Sequence, residues 1–302
     1  MIEAKVPTLQ EFSTNYLTYI KDVKQNRSSR RTRQALDHFI LVFGIKKLSE
    51  ISPEDIDTYK KRRLNGEAKP ATINRELAVI KHLFNLARKW HRFFGDNPIS
   101  QSGLLEVHNL VERILTPEEE KRLLNASPKY LQDIILVALN TGMRQAEILG
   151  LRWEWIDLDN NLITLPQTNT KAKKTRRIPI STVLRKLLLE LKLRSGGSEF
   201  VFPGSKGLDS HLTWLKHSFK TACKKAGIEN LRFHDLRHTT ATRLVESGVP
   251  LHAVAKLLGH STVKVTERYS HPENSIQEAV EILANFTQDR SNFRSNEKGD
   301  LL

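Results

Sequence analysis

Two arginine-bearing stretches decide how this chain is interpreted: Thr-Gly-Met-Arg-Gln-Ala-Glu at residues 141–147 and His-Asp-Leu-Arg-His at residues 234–238. The first follows an apolar helix predicted over 131–139, and the second opens a helix predicted to run from Asp235. Further histidines and Tyr269 follow downstream. During nucleophilic substitution at a phosphodiester, negative charge spreads over its equatorial oxygens, and the planar guanidinium of arginine fits that geometry. The hydroxyl of tyrosine can act as the nucleophile without a metal. The combination therefore predicts phosphoryl-transfer chemistry on DNA.

Length and composition favour a globular protein of about two domains. The chain has 302 residues, 39% of them hydrophobic, which is ample for packed cores. Its single cysteine, Cys223, excludes an internal disulfide and a cysteine-built zinc site, and fits a reducing compartment. No apolar run approaches the roughly 20 residues that span a bilayer, and no secretory signal is visible at the N-terminus. We therefore expect a cytoplasmic protein with no membrane partner.

Positive charge is spread over the whole chain. The formal net charge is +14, with 20 basic against 13 acidic residues in 1–113 and 28 against 21 in 114–302. A soluble surface can be basic without a ligand, but two equally basic halves favour a protein that encloses a polyanion between domains. Charge alone favours a nucleic acid as the partner, and together with the arginine and tyrosine stretches quoted above it indicates double-stranded DNA.

The first part of the chain predicts a small bundle of four helices. Thr8 and Glu11 form a capping box, in which a hydroxyl and a carboxylate satisfy each other's backbone amides. Later helices are expected over about 30–43, 53–65 and 72–90. We expect a helical domain over 1–96 and a polar linker over 97–113. Two basic clusters in the bundle, 27–33 and 60–63, are predicted to contact phosphates.

The second part predicts helices around a small β-sheet, in a domain over 114–287 followed by a disordered tail over 288–302. Short β-prone runs near 155–158, 162–165 and 177–180 predict a three-stranded antiparallel sheet. The fold class is therefore mainly α with a small antiparallel sheet (α+β). Asp157 and Asp159 could be proposed as metal ligands, but acidic residues beside Asn-Asn more often build a hairpin turn.

These stretches resemble the catalytic domain of the tyrosine recombinases, the phage-integrase family. The likeness covers roughly residues 114–285, and the helical N-terminal part is similar, less specifically, to the family's core-binding domain. Because core-binding-like helices begin near Thr8, we expect an Xer-like or mobile-element integrase without an arm-binding domain. The stretches that match the family's motifs are 141–151, 170–179, 234–238 and 258–269.

The resemblance assigns each candidate a role. Arg144 and Arg237 are expected to clamp the non-bridging phosphate oxygens, with His260 adding a hydrogen bond. Tyr269 is expected to be the nucleophile. The tyrosine hydroxyl has a pKa of about 10, and the alcohol formed from the leaving oxygen has a pKa of about 15.7. The nucleophile must therefore lose a proton and the leaving oxygen must gain one. The predicted catalytic set, including a base and an acid for those transfers, is Arg144, Lys171, His234, Arg237, His260 and Tyr269.

The roles of the histidines and lysines have alternatives. His234 is the expected base for Tyr269, although His234 and His238, four residues apart, could also form a zinc pair. That pair lacks the glutamate of His-Glu-x-x-His and an obvious third ligand, so no metal is predicted. Lys171 is the expected general acid, but Lys173 and Lys174 compete with it and only the family's register selects Lys171.

The resemblance implies a site-specific recombinase or integrase that works through a 3′-phosphotyrosyl intermediate. No Walker-type loop is present, so no nucleotide cofactor is expected. Two protomers per core site and a tetrameric synapse are implied, with an amphipathic helix over 276–286 docking in cis or in trans. The alternatives are strand relaxation of the type IB topoisomerase kind and a catalytically idle DNA-binding protein of the same fold.

Overall fold

A computed structural model describes residues 6–24, 29–107, 113–169, 174–204, 207–260 and 262–269. The chain divides into two compact units, Met1–Leu110 and Val111–Leu302. The helix expected over 276–286 and the tail over 288–302 lie outside the described residues.

The first unit is built from helices, as the sequence predicts. Thr8 caps the first one, and its capping box with Glu11 is formed, with hydrogen bonds of 2.8 and 3.2 Å. Ser52, followed by a proline, caps the third in the same way. The helices are α1 (Leu9–Thr18), continued by a π-helical turn (Tyr19–Val23), α2 (Ser29–Phe43), α3 (Pro53–Asn65), α4 (Pro70–Lys89) and α5 (Pro98–Ser102).

The core of this unit is aromatic and aliphatic and includes a buried carboxylate. Phe39, Tyr59 and Phe84 are fully buried. Glu76, 5% exposed, accepts a hydrogen bond from the Tyr59 hydroxyl at 2.8 Å and two from the Arg63 guanidinium at 2.9 and 2.7 Å. These bonds satisfy a carboxylate that would otherwise be costly to bury.

Part of the expected linker over 97–113 is structured. Asn97 caps α5 through a hydrogen bond from the Ile99 amide at 3.1 Å, and Ile99 is buried in the core of the first unit. The low apolar content of this stretch hid the helix, because a single isoleucine anchors it.

Two basic residues expected at the DNA surface serve inside the first unit instead. Lys60 is 7% exposed and donates to Asp57 and to the Ser102 carbonyl, both at 2.9 Å. Arg63 is paired with Glu76. Their neighbours Lys61 and Arg62 are exposed, so the predicted phosphate contact of the 60–63 cluster is left to these two cations.

The second unit is also mainly helical, around a large hydrophobic core. The Thr-Pro-Glu-Glu sequence at residues 116–119 predicts a capping box at a helix start, and the box between Thr116 and Glu119 is present. The helices are α6 (Pro117–Ala126), α7 (Lys129–Thr141), α8 (Gln145–Leu149), α9 (Thr182–Arg194), α10 (Lys216–Lys225), α11 (Asp235–Glu246) and α12 (Leu251–Leu258).

The predicted three-stranded antiparallel sheet is confirmed. It consists of β1 (Ile156–Asp157), β2 (Leu162–Leu165) and β3 (Arg176–Pro179), in that spatial order, with Ile163 opposite Ile178. Asp157 accepts hydrogen bonds from the amides of Asp159 and Asn160 at 3.1 and 2.9 Å. These carboxylate contacts confirm the hairpin-turn interpretation of the acidic residues.

A second hairpin was not predicted. The sequence predicts a helix over 212–226, with Gly227 ending it. Strands β4 (Pro203–Gly204) and β5 (Gly207–His211) pair antiparallel, so the expected helix start at Leu212 is wrong and α10 begins at Lys216. The Gly-Leu-Asp-Ser-His sequence of β5 lacks the alternation of apolar residues that marks a half-buried strand. Its backbone pairing with β4 compensates for that weak pattern.

Candidate active site

Arg144 lies at the turn between α7 and α8. Gly142 ends α7 in the left-handed conformation, with φ +61°, which reverses the chain before α8. Glu147, in the first turn of α8, accepts hydrogen bonds from the amide and Nη1 of Arg144, each at 2.9 Å. Nη2 of Arg144 donates to the Gly259 carbonyl at 3.4 Å. The Arg144 side chain remains 24% exposed, so part of its guanidinium can receive an anion.

Arg237 lies on the buried face of α11 and is 3% exposed. Its Nη1 donates to the Gly142 carbonyl at 2.7 Å and its Nη2 to the Leu258 carbonyl at 2.6 Å. Burial, together with the positive charges of Arg144 and Arg176, lowers the pKa of Arg237 to about 9. Arg237 is still charged at neutral pH. Its surroundings disfavour that positive charge, so binding of an anion beside it is favourable.

A third arginine, Arg176 on β3, belongs to the same cluster. Its side chain is 5% exposed, its Nη2 donates to Glu147 Oε2 at 2.6 Å, and its Nη1 donates to the Leu258 carbonyl. Arg176 falls within the 170–179 stretch that matches a family motif, but no role was predicted for it. The signal was its position two residues before Ile178, because alternate residues of a strand face the same side.

The cluster has an excess of positive charge. Three guanidiniums, Arg144, Arg176 and Arg237, lie around one carboxylate, Glu147, which is itself 5% exposed. Backbone carbonyls accept the other hydrogen bonds of these arginines but do not neutralise them. Such an arrangement favours binding of an anion, and a phosphodiester suits the planar guanidinium fork.

Tyr269 is packed beside this cluster. Its ring is 3% exposed and lies in an apolar group with Ala241, Val254 and Leu258. Its hydroxyl is 2.6 Å from Nδ1 of His238. A negative charge on Tyr269 would raise the pKa of Arg237, which couples the two groups electrostatically.

The two histidines of the His-Asp-Leu-Arg-His stretch are stacked along α11. The rings of His234 and His238 are 4.9 Å apart and nearly perpendicular. His234 is exposed, and partial desolvation of its ring together with the charge of Arg237 lowers its pKa. His238 is buried and contacts the tyrosine hydroxyl. From the sequence, His238 was expected only as a possible zinc ligand, although its four-residue spacing from His234 places both on one helix face.

His260 follows the left-handed Gly259 that ends α12. Its Nδ1 is 2.8 Å from the hydroxyl of Thr266, in the short segment that leads to Tyr269. The imidazole is half-buried, and its contact with Thr266 helps to hold that segment in place.

The structure therefore gathers five of the six predicted residues, which come from three separate stretches of the chain, into one region of the second unit. The sixth, Lys171, and its competitor Lys173 lie outside the described residues. Lys174 is described and is exposed. The individual roles of all six remain predictions.

The sequence matches known families over both parts of the chain. Residues 113–275 match the phage integrase family, and residues 8–105 match the phage integrase N-terminal domain. The chain belongs to the phage integrase family. Among its relatives, the shufflon-specific DNA recombinase of Escherichia coli is 32% identical over 267 residues, a span that covers 84% of this chain and 67% of that protein.

Solved structures of integrases share the fold. The integrase of the Tn1549 transposon, in complex with transposon right-end DNA, superposes with a TM-score of 0.76 at 20% identity, covering 92% of this chain and all of that one. A lambda integrase tetramer bound to a Holliday junction gives a TM-score of 0.73 at 18% identity, covering 87% of this chain and 77% of that one. Within the described ranges, this integrase-family chain has no helix that is both long and apolar enough to cross a membrane.

Proposed function

We propose that this member of the phage integrase family is a site-specific DNA recombinase that cuts and rejoins strands through Tyr269. The observation that carries the proposal is the meeting of an anion-binding arginine cluster with a buried tyrosine–histidine pair. Separate stretches of the chain supply these groups. A purely structural role in the second unit would not require three arginines around one carboxylate.

The chemical step exchanges one phosphodiester bond for another. The Tyr269 oxygen attacks the phosphorus and forms a phosphotyrosyl bond on the 3′ side, while the bond from phosphorus to the 5′ oxygen breaks. The phenolic proton passes to a histidine, and the leaving oxygen takes a proton from a general acid, for which Lys171 remains the sequence-based candidate. Attack by a 5′ hydroxyl reverses the step and releases Tyr269, so no nucleotide triphosphate is consumed.

Arg144 and Arg237 would stabilise the negative charge that develops on the non-bridging oxygens. Removing one donor of this kind typically costs about 3 to 4 kcal/mol of transition-state stabilisation. The excess of positive charge in this cluster, which Glu147 partly balances, means that little rearrangement of charge is needed when the phosphate enters.

Proton transfer from Tyr269 has two histidine candidates. The sequence favours His234, whose lowered pKa keeps it neutral and able to accept a proton at neutral pH. The geometry adds His238, which already contacts the hydroxyl at 2.6 Å. Because Tyr269 and Arg237 are each 3% exposed, DNA binding must shift the 262–269 segment before a phosphate can reach them.

DNA and further copies of the chain are the expected partners. The lambda integrase forms a tetramer on a Holliday junction. We propose a similar assembly for this chain, with two protomers on each core site and four in the synapse. The proposed location is the cytoplasm, with the protein at the nucleoid while it is bound to DNA.

Covalent trapping tests the proposal. Denaturing lysis of cells expressing the chain, followed by sequencing of covalently attached DNA, would give the target, which is then built into a nicked suicide duplex. We expect a covalent adduct with wild-type protein and none with Tyr269→Phe, while both bind the duplex equally in a gel shift. Absence of an adduct from wild type would support an idle DNA-binding protein, and relaxation of plasmids lacking the site would support a topoisomerase.

A further inference from the structure

Arg176 lies buried on the inner face of β3. Along β3 the side chains alternate between inside and outside, with Arg176 and Ile178 buried and Arg177 and Pro179 exposed. Desolvation lowers the pKa of Arg176, and the charge of Glu147 opposes that shift. A buried guanidinium is costly unless its partners are well placed, so its contacts indicate what it is for.

Each contact of Arg176 is shared with one of the two predicted phosphate-binding arginines. Glu147 receives Arg176 Nη2 on Oε2 at 2.6 Å and Arg144 Nη1 on Oε1 at 2.9 Å. The Leu258 carbonyl receives Arg176 Nη1 and also Arg237 Nη2, the latter at 2.6 Å. One rigid fork therefore connects the acceptor of Arg144 to the acceptor of Arg237.

The backbone of the final motif leaves room for this fork. A Cβ atom at Gly259 would lie 2.8 Å from both Cδ and Nη1 of Arg176, and Gly259 has φ +67°. The Gly259 carbonyl in turn accepts from Arg144 at 3.4 Å. Any side chain at position 259 would push on the guanidinium that links the two acceptors.

We propose that Arg176 is a positioning residue, which sets the distance and orientation between the guanidiniums of Arg144 and Arg237 without touching DNA. The inference rests on the proposed function, because those two groups are the ones proposed to hold the phosphate. Lysine cannot replace Arg176, since a single ammonium cannot bridge a carboxylate and a carbonyl with fixed fork geometry.

The test compares two scissile groups under single-turnover conditions with saturating protein. One suicide duplex carries the normal phosphodiester, and the other carries a methylphosphonate, in which a methyl group replaces one non-bridging oxygen and removes its charge. A misplaced arginine pair should matter less for the neutral group. A misplacement of about 1 Å can cost about 10²-fold in rate. We therefore expect Arg176→Lys and Arg176→Met to lose about 10²-fold on the phosphodiester and less than about tenfold on the methylphosphonate.

Matched variants decide the outcome. Arg177→Met, on the exposed side of the same strand, should leave both single-turnover rates within about twofold of wild type, whereas Arg144→Ala should show the same preference for methylphosphonate as the Arg176 variants. Equal losses on both substrates, or rates like those of Arg177→Met, would overturn the positioning role.

A second variant covers the case in which Arg176 is needed for folding. Gly259→Ala should displace the guanidinium and give the same substrate preference, while Gly227→Ala, at φ +65° with open space around it, should not. Equal losses on the two substrates for Gly259→Ala would also reject the inference. Failure of wild type to form any adduct would instead reject the proposed function.

Discussion

Nδ1 of His238 and the hydroxyl of Tyr269 lie 2.6 Å apart, and both side chains are buried. The contact joins the residue directly after Arg237 to the predicted nucleophile. It gives Tyr269 a proton acceptor or donor before DNA arrives.

His238 is therefore predicted to affect the attack step. General acid–base groups contribute about 10²- to 10⁴-fold, so His238→Ala should lower the single-turnover adduct rate by at least about 10²-fold. His238→Asn, whose side-chain amide reaches the position of Nδ1, should retain more activity than the alanine variant. A gel shift with unchanged affinity separates this effect from DNA binding, and equal, wild-type rates in both variants would remove His238 from the mechanism.

The pH profile tests His234. Its pKa is lowered below the ordinary 6.5 by desolvation and by Arg237, so the neutral, proton-accepting imidazole persists as the pH falls through 6.5. The adduct rate should stay level to below that pH and then decline as His234 becomes protonated. Rates measured across pH 5 to 8 in wild type and His234→Asn check this, and an acid limb that is unchanged in His234→Asn would rule out His234 as its source.

Gly142 should be intolerant of a side chain. A Cβ there would clash with Leu258 Cδ2, and the backbone at Gly142 has φ +61°. Left-handed backbone costs a non-glycine residue about 1–2 kcal/mol, and overpacking adds about 1–3 kcal/mol. Gly142→Ala should therefore lower the free energy of unfolding by about 2–5 kcal/mol.

Gly227→Ala is the matched control for that measurement. It has a similar φ, +65°, but no atom within 4 Å of the added Cβ, so only the backbone cost of about 1–2 kcal/mol should appear in urea unfolding. Equal losses for the two variants would show that Leu258 moves aside freely.

Glu76 is predicted to stabilise the first unit. Glu76→Ala leaves the buried Tyr59 hydroxyl and the Arg63 guanidinium without their acceptor. Fully buried pairs lose about 3–5 kcal/mol when broken, but Arg63 is 20% exposed and can be rehydrated, so we expect about 2–3 kcal/mol. Tyr59→Phe, which removes one hydrogen bond and keeps the ion pair, should cost only about 1 kcal/mol in the same unfolding experiment. A larger loss for Tyr59→Phe than for Glu76→Ala would contradict this account.

The sequence predicted elements that follow from local chemistry. The capping boxes at Thr8 and Thr116 fix helix starts, and the Asp157 turn fixes the first hairpin, because each depends on residues at most three positions apart. The helix that begins at Pro98 was missed because one buried isoleucine is too weak a periodic signal.

The candidate site was predictable as a set of residues but not as a network. Arg144, Arg237 and Tyr269 come from distinctive local motifs. The contact between Arg176 and Leu258 spans 82 positions, and the one between His238 and Tyr269 spans 31. Such pairings depend on how β3, α11 and α12 pack together, which periodicity within each element does not specify.

The most direct test of the central claim is to find the residue that becomes attached to DNA. After adduct formation on the suicide duplex, trypsin and nuclease digestion followed by mass spectrometry should locate a nucleotide 3′-phosphate on Tyr269, in the peptide that begins directly after Arg268. Tyr130, the other tyrosine of the second unit and 46% exposed, serves as the internal control and should remain unmodified. A nucleotide on Tyr130, or on any residue other than Tyr269, would contradict the account.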